Sequence, residues 1–167
     1  MNLFILRHAK AEEHGSRYLD DSKRPLTNAG EKEMFRVAAG MREMDLSFGL
    51  ILTSPFVRAK RTAEIVAEIF KSNKLRLSKN LASGADARNL IAELNDNYPL
   101  LKNILLVGHE PYLSKLISRL SSGDEKLSLH FKKAGLCKLT VGDLRHGRCA
   151  KMEWLLTPSQ LVQFAKL

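Results

Sequence analysis

Short apolar runs separated by longer amphipathic stretches dominate the pattern along the chain. Such runs predict buried strands, because a strand covered on both faces is apolar throughout. The clearest is Asn103–Gly108, which runs directly into the polar residues His109 and Glu110. The predicted strands are Asn2–Leu6, Leu50–Thr53, Leu75–Leu81, Asn103–Gly108, Leu136–Val141 and Cys149–Leu156, and the last two form a hairpin around Gly142–Gly147.

Helices are predicted between these strands from start signals and from apolar residues at helical spacing. Asn28 with Glu31 three residues later resembles a capping box. Ser54-Pro55 supplies a capping hydroxyl and a proline suited to the first helical position, which puts Arg58 in the first turn. Further helices are predicted from Asp86, from beyond Pro111 to about Leu120, and from near Thr157-Pro158. The polar, patternless segment Ala9–Leu26 is predicted to be a loop.

Strands that alternate with helices predict an α/β fold in which helices cover both faces of a largely parallel sheet, a three-layer α/β/α sandwich. At 167 residues, 44% of them hydrophobic, the chain is long enough for one substantial core and too short for two, so we expect a single domain over residues 1–167. Ligands bind such sheets beyond the carboxyl ends of the strands. We therefore expect the functional residues at that edge.

The charge balance favours an anionic partner, since 27 Lys and Arg against 18 Asp and Glu give a net charge of +9. Two basic patches, Lys71–Arg76 and Lys132-Lys133, carry part of the excess, and ordinary solvated surface is the preferred interpretation of both. Cys137 and Cys149 lack the number and spacing of a disulfide framework or a zinc site, so buried reduced thiols are expected. Without a long apolar run or a signal-peptide pattern, we expect no membrane partner and a cytoplasmic location.

Three predicted strands are followed by basic residues, arginines and histidines. Arg7 and His8 follow the first strand, Arg58 lies just beyond the second, and His109 follows the strand at Asn103–Val107. Taken singly, each has an ordinary alternative: His109 as a capping or core histidine, Arg58 as a surface helix residue. If the strands are neighbours, two guanidinium groups and two imidazoles meet at one oxyanion-binding site.

The chemistry of such a site suits phosphoryl transfer. A neutral imidazole is a good nucleophile at pH 7, and arginines can bind phosphoryl oxygens bidentately, which neutralises the transferring group without a metal. The Ser54-Pro55 helix start would add backbone donors and a positive dipole end. A second histidine, if cationic, would add a further donor.

These residues lie in motifs that resemble the histidine phosphatase superfamily, also called phosphoglycerate mutase-like, and within it the compact SixA-type phosphohistidine phosphatases. The motifs are Arg7-His8-Ala9, Arg24-Pro25-Leu26-Thr27, Ser54-Pro55-Phe56-Val57-Arg58-Ala59 with Thr62, and Gly108-His109-Glu110-Pro111. The resemblance covers nearly the whole chain. It implies that His8 is the phosphorylated nucleophile and that Arg7, Arg58 and His109 form the phosphate pocket with Arg24 at its edge. No cofactor or metal is expected, because the arginines can neutralise the transferring group. Ala9 departs from the glycine that is usual in the superfamily.

The substrate class is suggested by what the chain lacks relative to larger superfamily members, which insert helical segments that cover the site and supply a carboxylic acid. The span from Arg58 to His109 holds only two helices and a short strand, so an open pocket without a sizeable lid is expected. Asp86 and Glu110 are candidate acids, and either can equally be an ordinary helix-start carboxylate. An open site with an uncertain acid favours phosphohistidine on a protein, whose imidazole leaves neutral, over an alkyl phosphate.

Two alternatives stay open at this point. A phosphatase of a small phosphorylated metabolite would keep the mechanism and change the substrate. In a basic module that binds RNA or an acidic protein, the His8 site would be incidental. The sequence shows no aromatic-rich RNA motif, which argues against nucleic acid as a partner.

Overall fold

Six strands form one mixed sheet in a computed structural model that describes residues 1–15 and 17–165. The strands are β1 Asn2–Arg7, β2 Leu50–Thr53, β3 Leu75–Leu77, β4 Asn103–Gly108, β5 Leu136–Val141 and β6 Ala150–Leu156. Their order across the sheet is β3-β2-β4-β1-β5-β6. The pairs β3/β2, β2/β4 and β4/β1 are parallel, and the hairpin β5/β6 joins the β1 edge antiparallel.

Helices cover both faces of the sheet, which confirms the predicted three-layer α/β/α sandwich. They are α1 Asn28–Glu43, α2 Val57–Ile69, α3 Ala87–Asn97, α4 Tyr112–Ser122 and α5 Pro158–Phe164. Successive side chains of β1 point to opposite faces, so Phe4 and Leu6 join the core under α1, α2 and α5, whereas Leu3 and Ile5 join the core under α3 and α4. Between Arg58 and His109 the chain forms α2, β3, a short 3₁₀ turn, α3 and β4, without a large insertion.

Two helix starts differ from the sequence prediction. The cap of α1 is Thr27, whose side-chain oxygen accepts from the Gly30 backbone N–H at 2.9 Å, and not Asn28. With Thr27 as the cap, Glu31 lies one residue beyond the capping-box position, and its carboxylate accepts from Arg61 Nε of α2 at 2.7 Å. Helix α2 begins at Val57 with no side-chain cap, so the Ser54 hydroxyl is left for other partners.

Two segments, the one that contains β3 and the predicted loop Ala9–Leu26, contain short elements that the sequence pattern did not predict. Strand β3 is shorter than predicted, and Lys79–Leu81 instead form a 3₁₀ turn capped by Ser78. The predicted loop Ala9–Leu26 contains a 3₁₀ turn at Asp21–Lys23, and a β-bridge between Ala11 and Leu26 closes it. Its described residues thus return the chain close to His8 before α1 begins.

The central position of β4 decides where the functional residues meet. Because β2, β4 and β1 are parallel neighbours, their carboxyl ends lie together at one edge of the sheet. The backbone N–H of His8 donates to Gly108 O at 3.0 Å, and that of Ser54 donates to Val107 O at 3.0 Å. Over the part of the chain that the structure describes, no helix is both long and apolar enough to span a membrane.

Candidate active site

His8 lies at the carboxyl end of β1 with only 6% of its surface exposed. Its Nδ1 is 2.7 Å from Ala9 O, and since a carbonyl oxygen only accepts, Nδ1 carries the proton. The other ring nitrogen, Nε2, therefore presents a lone pair, and Arg58 Nε donates to it at 3.3 Å. Burial lowers the pKa of His8 to about 3, and the charges of Arg58 and Arg7 add to this, so the ring is neutral at pH 7.

His109 follows β4 and lies beside His8, with 5.1 Å between the ring centroids. It is 2% exposed, and burial followed by the charge of Arg58 lowers its pKa to about 3, so it too is neutral in this state. Its Nε2 is 2.8 Å from Ser54 Oγ, which also accepts from the Phe56 backbone N–H at 3.3 Å. The Nδ1 atom of His109 is buried and has no hydrogen-bond partner among the described residues.

Arg58 is almost completely buried in the first turn of α2, with 3% of its surface exposed. Its guanidinium points Nε at His8, while Nη1 donates to the backbone oxygen of Asp21 at 2.6 Å and Nη2 to its Oδ2 at 2.8 Å. The Phe56 ring covers it, with 5.3 Å from Cζ to the ring centroid. Both Nη groups are thus held by the protein itself, and Nε–H is the donor that faces His8.

Asp21 is a site residue that the sequence analysis missed. Its Oδ1 accepts from Arg24 Nε at 2.8 Å and lies 2.6 Å from Arg24 Nη2, so one carboxylate joins Arg58 to Arg24. Partial burial raises the pKa of Asp21, but the hydrogen bonds from Arg58 and Arg24 outweigh it and hold the pKa below its ordinary value. The only sequence signal was a carboxylate three residues before Arg24 in a segment predicted to be a loop.

Thr62 connects α2 to the loop that holds His8. Its buried hydroxyl donates to Arg58 O at 2.7 Å and accepts from the Ala9 backbone N–H at 3.1 Å. Ala9 O in turn accepts from His8 Nδ1, so Thr62 ties the backbone that orients the His8 ring to the turn that carries Arg58. Thr62, which the sequence indicated only as part of a motif, therefore makes two hydrogen bonds that hold the site together.

Arg7 lies on the other side of His8, at the last position of β1. Its Nη1 donates to Phe131 O at 2.7 Å, and its Nε is buried without a hydrogen-bond partner among the described residues. Burial lowers the pKa of Arg7, and its charge in turn lowers the pKa values of both His8 and His109. Four predicted site residues, Arg7, His8, Arg58 and His109, therefore meet at one edge of the sheet, and Arg24 reaches it through Asp21.

The two candidate acids have other contacts. Asp86 caps α3, accepting from the Arg88 backbone N–H at 2.8 Å, and it lines a cavity of about 500 Å³ together with Tyr112. Glu110 accepts from the Ser114 backbone N–H at 2.8 Å and also from its hydroxyl, so it holds the first turn of α4. Each of these carboxylates thus has the helix-start contacts that the sequence analysis offered as the alternative.

The arrangement combines a neutral imidazole, whose Nε2 has a lone pair, with the positive charges of two arginines. Such a combination is suited to binding and transferring a phosphoryl group. Residues 1–15 and 17–165 contain no group of three or more His, Cys, Asp and Glu side chains placed to hold a metal ion.

Comparisons with known proteins agree with this chemistry. Residues 3–83 match the profile of the histidine phosphatase superfamily (branch 1). An uncharacterized protein of Picosynechococcus is 34% identical over 147 residues, which cover 87% of this chain and 88% of that protein. Phosphohistidine phosphatase SixA of Escherichia coli is 25% identical over 166 residues, 96% of each chain. The structure of the protein histidine phosphatase SixA complexed with tungstate superposes with a TM-score of 0.82 at 24% identity, covering 96% of this chain and 99% of that one. The chain therefore belongs to the histidine phosphatase superfamily, which supports phosphatase activity, and within that superfamily it is similar to the SixA proteins.

Proposed function

We propose that this protein removes the phosphoryl group from phosphohistidine on another protein, such as a phosphotransfer domain of a signalling relay, through a covalent phosphohistidine on His8 and without a metal. The observation that carries the proposal is the state of the His8 ring. Its Nδ1–H donates to Ala9 O, and its Nε2 lone pair faces the Nε–H of Arg58. Its pKa of about 3 keeps the ring neutral at pH 7.

In the first step, His8 Nε2 forms a bond to phosphorus while the bond from phosphorus to the substrate imidazole breaks. When the other ring nitrogen of the phosphohistidine carries a proton, the substrate imidazole takes the electron pair of that bond and leaves neutral. In the second step, water attacks phosphorus and one of its protons passes to a phosphoryl oxygen. The bond to His8 breaks with its electron pair returning to Nε2, which releases inorganic phosphate and restores the neutral imidazole.

The arginines carry out the charge neutralisation that a metal would otherwise provide. Once a phosphoryl group is on Nε2, the Nε–H of Arg58 that now donates to this nitrogen is positioned for a phosphoryl oxygen. Arg7 supplies a second positive charge, and the neutral ring of His109 lies beside that of His8 with its buried Nδ1 atom unpartnered among the described residues. Asp21 and Arg24 keep the Arg58 fork in place.

The leaving group distinguishes a protein phosphohistidine from an alkyl phosphate. An alkoxide needs a proton as it departs, and the two candidate carboxylates, Asp86 and Glu110, are engaged at helix starts. A departing imidazole does not need such an acid. The names of two curated relatives support the same substrate class, SixA of Escherichia coli and a SixA homolog of Haemophilus influenzae, which is 28% identical over 141 residues.

A labelling experiment tests the covalent step. The protein is mixed with a phosphohistidine protein labelled with ³²P, quenched in alkaline detergent, and examined for label that survives alkali and is lost in acid. We expect the label on His8, none on the His8→Ala variant, and normal labelling of His14→Ala, which removes an exposed histidine. Turnover by His8→Ala near the wild-type rate would refute the mechanism.

The metal and substrate claims need separate measurements. We expect kcat/KM to be unchanged by EDTA, and inhibition that added magnesium or zinc reverses would refute metal independence. With a phosphohistidine protein and a panel of alkyl phosphate metabolites, we expect the phosphohistidine protein to have the highest kcat/KM. A metabolite that exceeds it would assign a small-molecule substrate while leaving the His8 mechanism intact.

A further inference from the structure

A basic groove lies directly beside the candidate active site, on the Arg7 side. It has a volume of about 590 Å³, and its charged lining consists of Arg7, Lys10, Lys132, Lys133, Glu33 and Glu110, with His130 and Phe131 between them. Four cationic side chains thus face two carboxylates. The groove is therefore positive at neutral pH.

The backbone joins this groove to the nucleophile. Strand β5 is antiparallel to β1, so the segment before it returns to the carboxyl end of β1. The Ala134 backbone N–H donates to the oxygens of both Arg7 and His8, at 3.1 and 3.2 Å, and the Arg7 N–H donates to Gly135 O at 3.1 Å. Backbone hydrogen bonds thus hold the segment that carries Lys132 and Lys133 against the end of β1, next to His8.

The cations of the groove are close enough to influence one another. The pKa of Lys133 is lowered by partial burial and then by the positive charges of Arg7, Arg24 and Lys10. Such crowding of like charges is unfavourable in the unliganded protein and is relieved by an anion. The charge of one opposing carboxylate, Glu110, raises the pKa of Arg7, but two carboxylates cannot offset the charges of four cationic side chains.

The second basic patch of the sequence occupies the opposite edge of the sheet. Lys71 and Lys74 precede β3, at its amino end, and line a small cavity with Ser47 and Phe48, which precede β2. Parallel strands place their amino ends away from the catalytic edge, so this patch lies at the end of the sheet opposite to His8. The sequence alone did not show which of the two patches lies near the active site. The groove lysines are therefore the test, and Lys71 and Lys74 are the control.

We infer that the groove beside Arg7 is the docking surface for acidic residues that flank the phosphohistidine of the protein substrate. The inference rests on the proposed function, and it goes further by assigning a charge to the substrate sequence. Aspartate or glutamate side chains next to the phosphohistidine would contact Lys10, Lys132 and Lys133 while the phosphoryl group lies against His8 and Arg7.

Two peptides test the inference. Both carry one phosphohistidine, made by treatment with phosphoramidate; in one the flanking residues are Asp and Glu, and in the other they are Asn and Gln at the same positions. The enzymes are the wild type, a Lys132→Glu, Lys133→Glu groove variant, and a Lys71→Glu, Lys74→Glu control with the same change of net charge. All four lysines are exposed, and thermal unfolding checks that each variant is folded.

We expect the wild type at low salt to favour the acidic peptide by about tenfold or more in kcat/KM. The groove variant should lose this preference and the control variant should keep it. In 0.5 M salt the wild-type preference should shrink, because contacts between exposed charges are screened.

The contrary outcomes distinguish a failure of the docking inference from a failure of the proposed function. Equal hydrolysis of both peptides by the wild type, or an equal loss of preference in the groove and control variants, overturns the docking inference and leaves the proposed function standing. If the wild type hydrolyses p-nitrophenyl phosphate but neither peptide, the proposed function fails and the docking inference fails with it.

Discussion

The contact between Asp21 and Arg58 gives the sharpest test of how the site is positioned. Asp21→Asn preserves the shape of the side chain and the backbone oxygen that accepts from Arg58 Nη1 at 2.6 Å. It removes the charge that both Arg58 and Arg24 use. Because the asparagine side chain has one acceptor oxygen, its amide group must face one of the two guanidinium groups, donor against donor.

The size of the effect follows from the burial of the partners. A hydrogen bond to a charged group contributes about 1.5 to 3 kcal/mol when it is shielded from water. Arg58 is 4% exposed in its side chain but Asp21 is 43% exposed, so the value must be reduced for solvent screening. We expect a loss of about 1 to 2 kcal/mol in transition-state stabilisation, which is about a 5- to 30-fold fall in kcat/KM. The remaining backbone contact keeps the loss partial.

Asp20→Asn is the matched control for this variant. It makes the same change of charge one residue earlier, and Asp20 accepts from Ser22 without contacting either arginine. Steady-state kinetics should be measured for wild type and both variants, with inhibition by inorganic phosphate as a readout of oxyanion binding. We expect weaker phosphate inhibition and a lower kcat in Asp21→Asn alone, with thermal unfolding midpoints of the two variants close together.

Two outcomes would refute this account of Asp21. If Asp21→Asn has the same kcat/KM and phosphate affinity as Asp20→Asn, Arg58 does not depend on the carboxylate for its orientation. If its phosphate affinity instead rises above that of the wild type, Asp21 competes with the phosphoryl group for Arg58 and does not position it.

The remaining predictions concern stability and the chemistry of Arg58. Since the native pKa values of His8 and His109 are about 3 and an unfolded histidine titrates near 6.5, the unfolded state binds more protons below pH 6.5, and stability falls as pH falls toward 3. Lowering the pH from 7 to 5 should cost about 2 kcal/mol per histidine in urea unfolding, and His109→Gln should lose less than the wild type; equal pH dependence would contradict the assigned pKa. Gly40→Ala should destabilise the fold by about 1 to 3 kcal/mol, because its Cβ would overlap the Leu161 carbonyl oxygen of α5, and an unchanged urea midpoint would contradict that packing. Arg58→Lys should lose about 2 to 4 kcal/mol in transition-state stabilisation, since a lysine cannot bond Asp21 and face His8 together; near-normal kcat/KM would place Arg58 outside the reaction.

Much of the fold was accessible from the sequence because its strands are short apolar runs between polar segments. Leu50–Thr53 and Leu136–Val141 were predicted with the bounds that the structure shows. Helix starts were less accurate: Thr27 replaced Asn28 as the cap of α1, and α2 began at Val57. A cap depends on which backbone N–H groups a particular side chain can reach, and neighbouring residues of similar chemistry are not distinguished by pattern.

The chain by itself determined that Arg7, His8, Arg58 and His109 follow strands, and the rule that parallel strands present their carboxyl ends together was enough to predict that they converge. The bond from Asp21 to Arg58 crosses 37 positions in sequence, and it forms only because the loop folds back over the start of α2. The protonation of the two histidines likewise depends on burial and on neighbouring charge. Local sequence pattern reports residue type and spacing, whereas hydrogen-bond partners, desolvation and the separation of the two basic patches are set by contacts between distant segments, and the tertiary structure alone decided them.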